Sequence, residues 1–169
     1  MAAGNTYTQI ASTTLGSAAA SVTFSSIAGT YTDLVLVCNG LVTSNSETPA
    51  LQFNGDTGSN YSWTLLSGDG TSATSSRSTS GASLTVIPSA WSGGWSSTSN
   101  SNAIFNIQNY SNAPTYKTVL SRNNNVGSRV NTSVGLWRNT AAITSIVCLA
   151  TSTTFQTGAT FNLYGITSA

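Results

Sequence analysis

Short stretches in which apolar and polar residues alternate recur along the whole chain and limit its fold more than any other feature. Val22 and Phe24 alternate with Ser and Thr, and Tyr61, Trp63 and Leu65 follow the same rhythm. A period of two is typical of β-strands. Ser, Thr, Asn and Gly, which are poor helix formers, fill most other positions, so no long helix is expected. About ten short strands are predicted, at residues 20–24, 34–38, 51–53, 61–65, 84–86, 103–107, 116–120, 130–136, 143–149 and 160–166.

Turn-forming residues separate these stretches and favour an antiparallel arrangement. Asn54-Gly55-Asp56 follows the strand that ends at Phe53, and Pro88 stops the strand at 84–86. Short strands at this spacing are typical of sandwiches and jelly rolls. We therefore predict an all-β fold with one domain over residues 1–169, a single antiparallel β-sandwich that is jelly-roll-like. Residues 67–82 and 88–102 are predicted to be long loops.

The composition excludes most kinds of active site. Only five basic and four acidic residues occur among 169, none is histidine, and Ser and Thr fill 56 positions. A Ser-His-Asp triad cannot form without histidine, two cysteines cannot supply the ligands of a zinc site, and no glycine-rich phosphate loop with a lysine occurs. We therefore expect no enzymatic activity, no catalytic residue, no cofactor and no metal.

Asp56 is the acidic residue whose surroundings suggest an ion site. It lies in Phe53-Asn-Gly-Asp-Thr-Gly-Ser-Asn-Tyr61, where carboxylate, amide and carbonyl oxygens could hold calcium. A single carboxylate carries too little charge for a firm site. We therefore favour the alternative, an Asp that caps its own turn through backbone N–H groups.

The two cysteines, Cys38 and Cys148, each lie inside an apolar strand pattern. Free Cys is among the most buried residue types. Buried, reduced thiols are therefore the preferred interpretation, and a Cys38–Cys148 disulfide is the alternative.

The four tryptophans divide into two groups. Trp63 and Trp137 lie in alternating stretches and are predicted to be core residues. Trp91 and Trp95 stand four residues apart in a Ser- and Gly-rich segment. Exposed tryptophans anchor protein contacts or stack on sugar rings, so both are candidate partner-binding residues. The alternative is a loop that folds its own aromatics onto the sandwich.

The few charges are segregated along the chain. All four acidic residues precede residue 70, and all five basic residues follow it. Chance in so small a sample is one explanation. The other is a subunit whose acidic side meets the basic side of a neighbour, in which case Arg122, Arg129 and Arg138 are candidate partner-binding residues.

Unprotected sheet edges indicate that the chain assembles. Sheet proteins usually protect their edges with Lys, Pro or inward-pointing charges, and this chain has one lysine and three prolines. A net charge of +1 gives little protection against association and no field that would attract nucleic acid. We expect a cyclic oligomer, most simply a homotrimer, in which neighbouring copies cover the edges.

Targeting signals are not evident in the sequence. The start, Met1-Ala-Ala-Gly, has neither the basic nor the apolar region of a signal peptide. No apolar run approaches the roughly 20 residues of a membrane span. With Met1 at the start and no coiled-coil or collagen-like shaft, the sequence is expected to be a complete small protein without a membrane partner.

Several segments resemble small virion proteins of tailed phages. They include Tyr31-Thr-Asp-Leu34 and Phe53-Asn-Gly-Asp-Thr-Gly-Ser-Asn-Tyr-Ser62, together with residues 7–27, 136–146 and 158–166. Such sequences occur in capsid decoration (cement) proteins and in tail-fibre or appendage modules. The resemblance spans nearly the whole chain. It implies a β-sandwich on the virion exterior and carries over no catalytic residue.

The decoration role is preferred because the chain has no fibre shaft. The resemblance then implies a homotrimer that is assembled in the host cytoplasm, binds the major capsid protein on the capsid exterior and stabilises the head. The alternative is a tail-fibre or receptor-binding module, which would hold a host glycan on Trp91 and Trp95. Neither role implies a nucleic-acid partner.

Overall fold

A computed structural model of the protein describes residues 6–45, 49–85, 94–125 and 129–167. All regular secondary structure within these ranges is β-strand, which confirms the all-β prediction. The strands are β1 (Tyr7–Thr14), β2 (Ser21–Phe24), β3 (Asp33–Gly40), β4 (Pro49–Phe53), β5 (Tyr61–Gly68), β6 (Ala73–Gly81), β7 (Leu84–Thr85), β8 (Ser101–Gln108), β9 (Lys117–Asn125), β10 (Arg129–Trp137), β11 (Ile146–Ala150) and β12 (Thr160–Ile166).

The strands form two antiparallel sheets that share one core. The large sheet has eight strands in the order β1-β12-β3-β8-β9-β10-β5-β6, and the small sheet has four in the order β2-β11-β4-β7. Side chains of both sheets form a single buried cluster, in which Leu36 and Phe105 come from the large sheet and Phe53 and Ile146 from the small one. The predicted antiparallel sandwich is therefore confirmed. The two sheets differ in size, since the large sheet alone has eight strands, which is the number in a whole jelly roll.

The described residues contain twelve strands instead of about ten. The two that the sequence pattern missed, β1 and β6, are the edge strands of the large sheet. Most residues of β6 are exposed, so no apolar alternation marks it. The prediction of a loop over residues 67–82 is therefore wrong for the end of β5 and for the whole of β6. Of the predicted loop at 88–102, residues 88–93 lie outside the described residues, and β8 already begins at Ser101.

Strands β9 and β10 reverse the usual relation between polarity and burial. Val119 and Trp137 point into the sandwich and are fully buried. Because side chains alternate, this register turns Leu120 and Val134 outward, and a slip by one residue would expose the tryptophan. The polar side chains that this register buries form hydrogen-bonded pairs, Ser121 Oγ with Ser133 Oγ at 2.6 Å and Asn131 Nδ2 with Asn123 Oδ1 at 2.8 Å.

Gly135 allows the small sheet to approach β10 closely. A Cβ atom at this position would lie 2.1 Å from Leu84 Cδ2, and Leu84 of β7 is itself fully buried. A contact this short is impossible for any side chain, so glycine is needed here for close packing. The small sheet thus covers the inner side of β10, whereas Val130 and Val134 on its outer side are exposed.

Candidate protein-contact surface

The predicted tryptophan sites lie in different environments. Trp137 is fully buried, as predicted, whereas Trp63 is only half-buried. Trp95 is also fully buried and lies edge-on to Phe155, with ring centroids 5.8 Å apart. The interpretation of Trp95 as an exposed contact residue is therefore wrong, and its alternative, an aromatic folded onto the sandwich, is confirmed. Trp91 lies outside the described residues.

Two of the three predicted contact arginines are held by their own chain. Arg129 Nη2 lies 3.6 Å from Asp69 Oδ2, and Arg129 Nη1 donates to Ser67 Oγ at 3.4 Å. Arg138 Nη2 donates to the Ser59 carbonyl oxygen at 2.6 Å. The Arg129–Asp69 pair joins an early acid to a late base within one chain, so this pair needs no neighbouring subunit.

Four exposed apolar side chains lie together on the outer face of the large sheet, which is the face turned away from the small sheet. The exposed fractions are 60% for Leu66, 42% for Leu120, 66% for Val130 and 52% for Val134. Val134 lies directly opposite Leu120, and Leu66 lies opposite Thr132, which stands between the two valines on β10. We call these four residues the outer apolar patch. Contiguous apolar surface of this kind marks interaction sites.

The third predicted arginine, Arg122, lies on this outer face and is accompanied by Arg77, which the sequence did not single out. Arg122 is opposite Thr132, and Arg77 is opposite Thr64, which in turn is opposite Val134. Both arginines are exposed. Within the described ranges, the side chain of neither arginine forms an ion pair or a hydrogen bond with the chain. From the spacing of strands and residues in a sheet, the two are roughly 16 Å apart, on either side of the patch.

Two surface grooves adjoin the outer apolar patch. One, of about 350 Å³, is lined by residues that include Leu66, Ala73 and Val130. The other, of about 370 Å³, lies between residues that include Arg77 and Val134. Side chains projecting from a partner could fill both grooves, as they do at well-packed interfaces.

Asp56 is used inside its own turn. Its carboxylate accepts hydrogen bonds from the Gly58 backbone N–H at 2.9 Å, from Asn60 Nδ2 at 2.9 Å and from Trp137 Nε1 at 2.7 Å. The bond from Trp137 is the main cause that lowers the pKa of Asp56. The preferred interpretation as a turn cap is confirmed. Among the described residues, no three His, Cys, Asp or Glu side chains come together as a metal site would require.

The two cysteines face each other across the sandwich. Cys38 of β3 and Cys148 of β11 are fully buried free thiols, with sulfur atoms 3.8 Å apart. Burial, followed by the contact with Cys148, raises the pKa of the Cys38 thiol. Both thiols are therefore core residues, and the raised pKa makes Cys38 a weak nucleophile.

Lys117 is fully buried at the start of β9. Its Nζ donates to the carbonyl oxygens of Thr115 at 2.7 Å and Thr140 at 3.1 Å. Burial lowers the pKa of Lys117. The side chain holds two loops together and is not available on the surface.

In comparisons with known proteins, no protein-family profile and no curated protein matches the chain. The described residues include no helix that is long and apolar enough to span a membrane.

Sequence reasoning missed most of this candidate surface for two reasons. The stretch of residues 130–136 was recognised as a strand, but an alternating pattern is normally assumed to bury its apolar members. The fully buried Trp137, which lies on the other face of β10, could have revealed the true orientation. Arg77 was missed because residues 67–82 were predicted to be a loop.

Proposed function

We propose that this protein is a structural protein of a phage virion, most simply a capsid decoration protein that binds the outside of the capsid as a homotrimer and stabilises the head. The supporting observation is the outer apolar patch, together with the resemblance described above. An exposed apolar patch on a sheet of this polar chain is suited to contact another protein.

The inside-out polarity of β9 and β10 supports a contact role. Hydroxyl and amide groups are buried at Ser121, Ser133 and Asn131, whereas Val130 and Val134 are exposed on the same strand pair. The observed arrangement makes sense when the outer face is covered in the assembled state.

The edges of the large sheet support oligomerisation. Edge strand β1 has no charged residue and no proline, the nine-residue edge strand β6 has a single arginine, and the pairing of each with its neighbour contains one register shift. Edges with so few charges invite association. A cyclic oligomer brings edges and loops of neighbouring copies together, and a trimer matches the resemblance.

The role on the particle is tested by locating the protein. Mass spectrometry of purified phage particles and immunogold electron microscopy should find it on the capsid exterior. Sedimentation of the purified protein at micromolar concentration should give a trimer. A protein that is absent from particles, or present only on tails, would refute the decoration role, and a clean monomer would refute self-assembly.

A further inference from the structure

The outer face of the large sheet combines an uncovered apolar centre with two unpaired cations. The centre is the outer apolar patch, flanked by the two grooves. The cations are Arg77 and Arg122, one on each side. These features together restrict what can cover the face.

Two of the three acidic residues in the described chain are held by several contacts within the chain. Asp69 accepts hydrogen bonds from the backbone N–H groups of Thr71 and Ser72, which are the main causes that lower its pKa to about 2, and it also pairs with Arg129. Asp56 is bonded within its own turn and to Trp137. These two carboxylates are held in place by several hydrogen bonds each.

Asp33 is the remaining acidic residue in the described ranges. It is the first residue of β3, and its Oδ1 accepts a hydrogen bond from the backbone N–H of Asn109 at 2.6 Å. As far as the described residues extend, a second copy of this chain therefore offers the two arginines only one carboxylate, that of Asp33, that is not already held by several hydrogen bonds. Stacking two such faces would also bring four like charges together, which disfavours the pairing.

Charge complementarity thus points to a different protein. We propose that the outer face of the large sheet binds a heterologous protein surface that is apolar at its centre and carries carboxylates opposite Arg77 and Arg122. This inference rests on the proposed function, in which that protein is the major capsid protein. The trimer contacts would then use other parts of the chain, among which are the exposed edges.

The size of the face is adequate for such a contact. Strands β9, β10, β5 and β6 have 9, 9, 8 and 9 residues. With strands about 4.8 Å apart and about 3.3 Å per residue, their outer face measures roughly 19 Å by 30 Å. Counting both partners, the contact buries about 1,100 Å², close to the lower end of the range for stable protein interfaces. Simultaneous binding by three copies would add avidity.

The test uses phage particles that lack this protein, made from a genome with its gene deleted, and the purified full-length protein. Val134→Glu places a carboxylate in the apolar centre, and Thr23→Glu is the matched control on an exposed strand position of the small sheet. We expect Val134→Glu to weaken binding at least tenfold and Thr23→Glu to bind like the wild type. Sedimentation should give the same oligomer for all variants, and circular dichroism should give the same fold.

The charge requirement is tested with graded variants of the two arginines. The double variant with Arg77→Gln and Arg122→Gln should bind several-fold more weakly than the wild type. The double variant with Arg77→Glu and Arg122→Glu should bind at least tenfold more weakly, because it sets like charges against the partner. If the two double variants bind the particles equally tightly, the proposal that the partner surface is acidic is overturned.

The remaining outcomes separate the two proposals. If the wild-type protein does not bind the particles at all, the decoration role fails and the capsid is excluded as the partner. If the wild type binds and Val134→Glu binds equally well, the decoration role stands and the outer face is not the docking surface. If Val134→Glu stays folded but dissociates the oligomer, the face joins copies of this chain and the heterologous assignment is overturned.

Discussion

Replacing Gly135 by alanine tests the packing that leaves the outer face uncovered. The added Cβ atom would lie 2.1 Å from Leu84 Cδ2 and 2.7 Å from Leu84 Cγ. Because Leu84 is fully buried, it cannot move into solvent, so it must leave its preferred rotamer or the two sheets must separate locally. Overpacking of this kind costs about 1–3 kcal/mol. For a protein of this size, that cost corresponds to a decrease in Tm of about 2–12 °C.

Urea unfolding followed by tryptophan fluorescence, at one fixed protein concentration, measures this cost. Gly16→Ala is the matched control, because a Cβ atom at Gly16 meets nothing within 4 Å, and its effect should stay within about 0.5 kcal/mol. Leu84→Ala alone should cost about 2–5 kcal/mol. In that background Gly135→Ala should cost nothing or restore stability, because the new methyl group fills vacated space. An equal cost of Gly135→Ala in both backgrounds would refute the proposed contact.

Three further predictions follow from buried polar groups. Burial raises the pKa of Tyr61 to about 12, so the unfolded tyrosine ionises first and the unfolding free energy falls by up to about 2.7 kcal/mol between pH 10 and pH 12. In Tyr61→Phe, the urea midpoint should therefore fall less between pH 10 and pH 12 than in the wild type. A decrease of the same size in both proteins would contradict the assignment to Tyr61. Asp56→Asn should lose about 1–2 kcal/mol at pH 7, because the amide has one acceptor oxygen where the carboxylate uses two, one for the Gly58 backbone N–H and the other for Trp137 Nε1. The pKa of Asp56 is lowered, so its stabilising effect should fade as acid protonates it, and equal Tm values of wild type and variant at pH 7 would contradict this role. Cys38 and Cys148 should react with a thiol reagent only at the rate of unfolding, since both are fully buried, and labelling of the folded protein within minutes at pH 7 would contradict that enclosure.

The central strands could be predicted from sequence because burial marks them. Strand β3 lies between β12 and β8, and its Leu34, Val35 and Leu36 are all buried. Such a run of apolar residues distinguishes a strand covered on both faces. Edge strand β6 gives no such signal, because its Ser and Thr side chains are mostly exposed and its backbone pairs on one side only.

The contact surface could be predicted only in part. Arg122 was singled out from the charge distribution and lies on the outer face. The apolar residues beside it were recognised as strand residues, but which side of the sheet they occupy depends on tertiary packing. The large buried ring of Trp137 determines the orientation of β10, and Val134 is then forced outward. The local pattern of apolar and polar residues does not show which of the two faces of β10 is buried.

Electron cryomicroscopy of the intact phage particle tests the central claim most directly. We predict threefold density on the capsid exterior, with Leu66 and Val134 of the outer face buried against a capsid subunit and carboxylates of that subunit near Arg77 and Arg122. The small sheet should face solution. Density for the protein in which the outer face is open to solvent, or no density on the capsid, would contradict the claim.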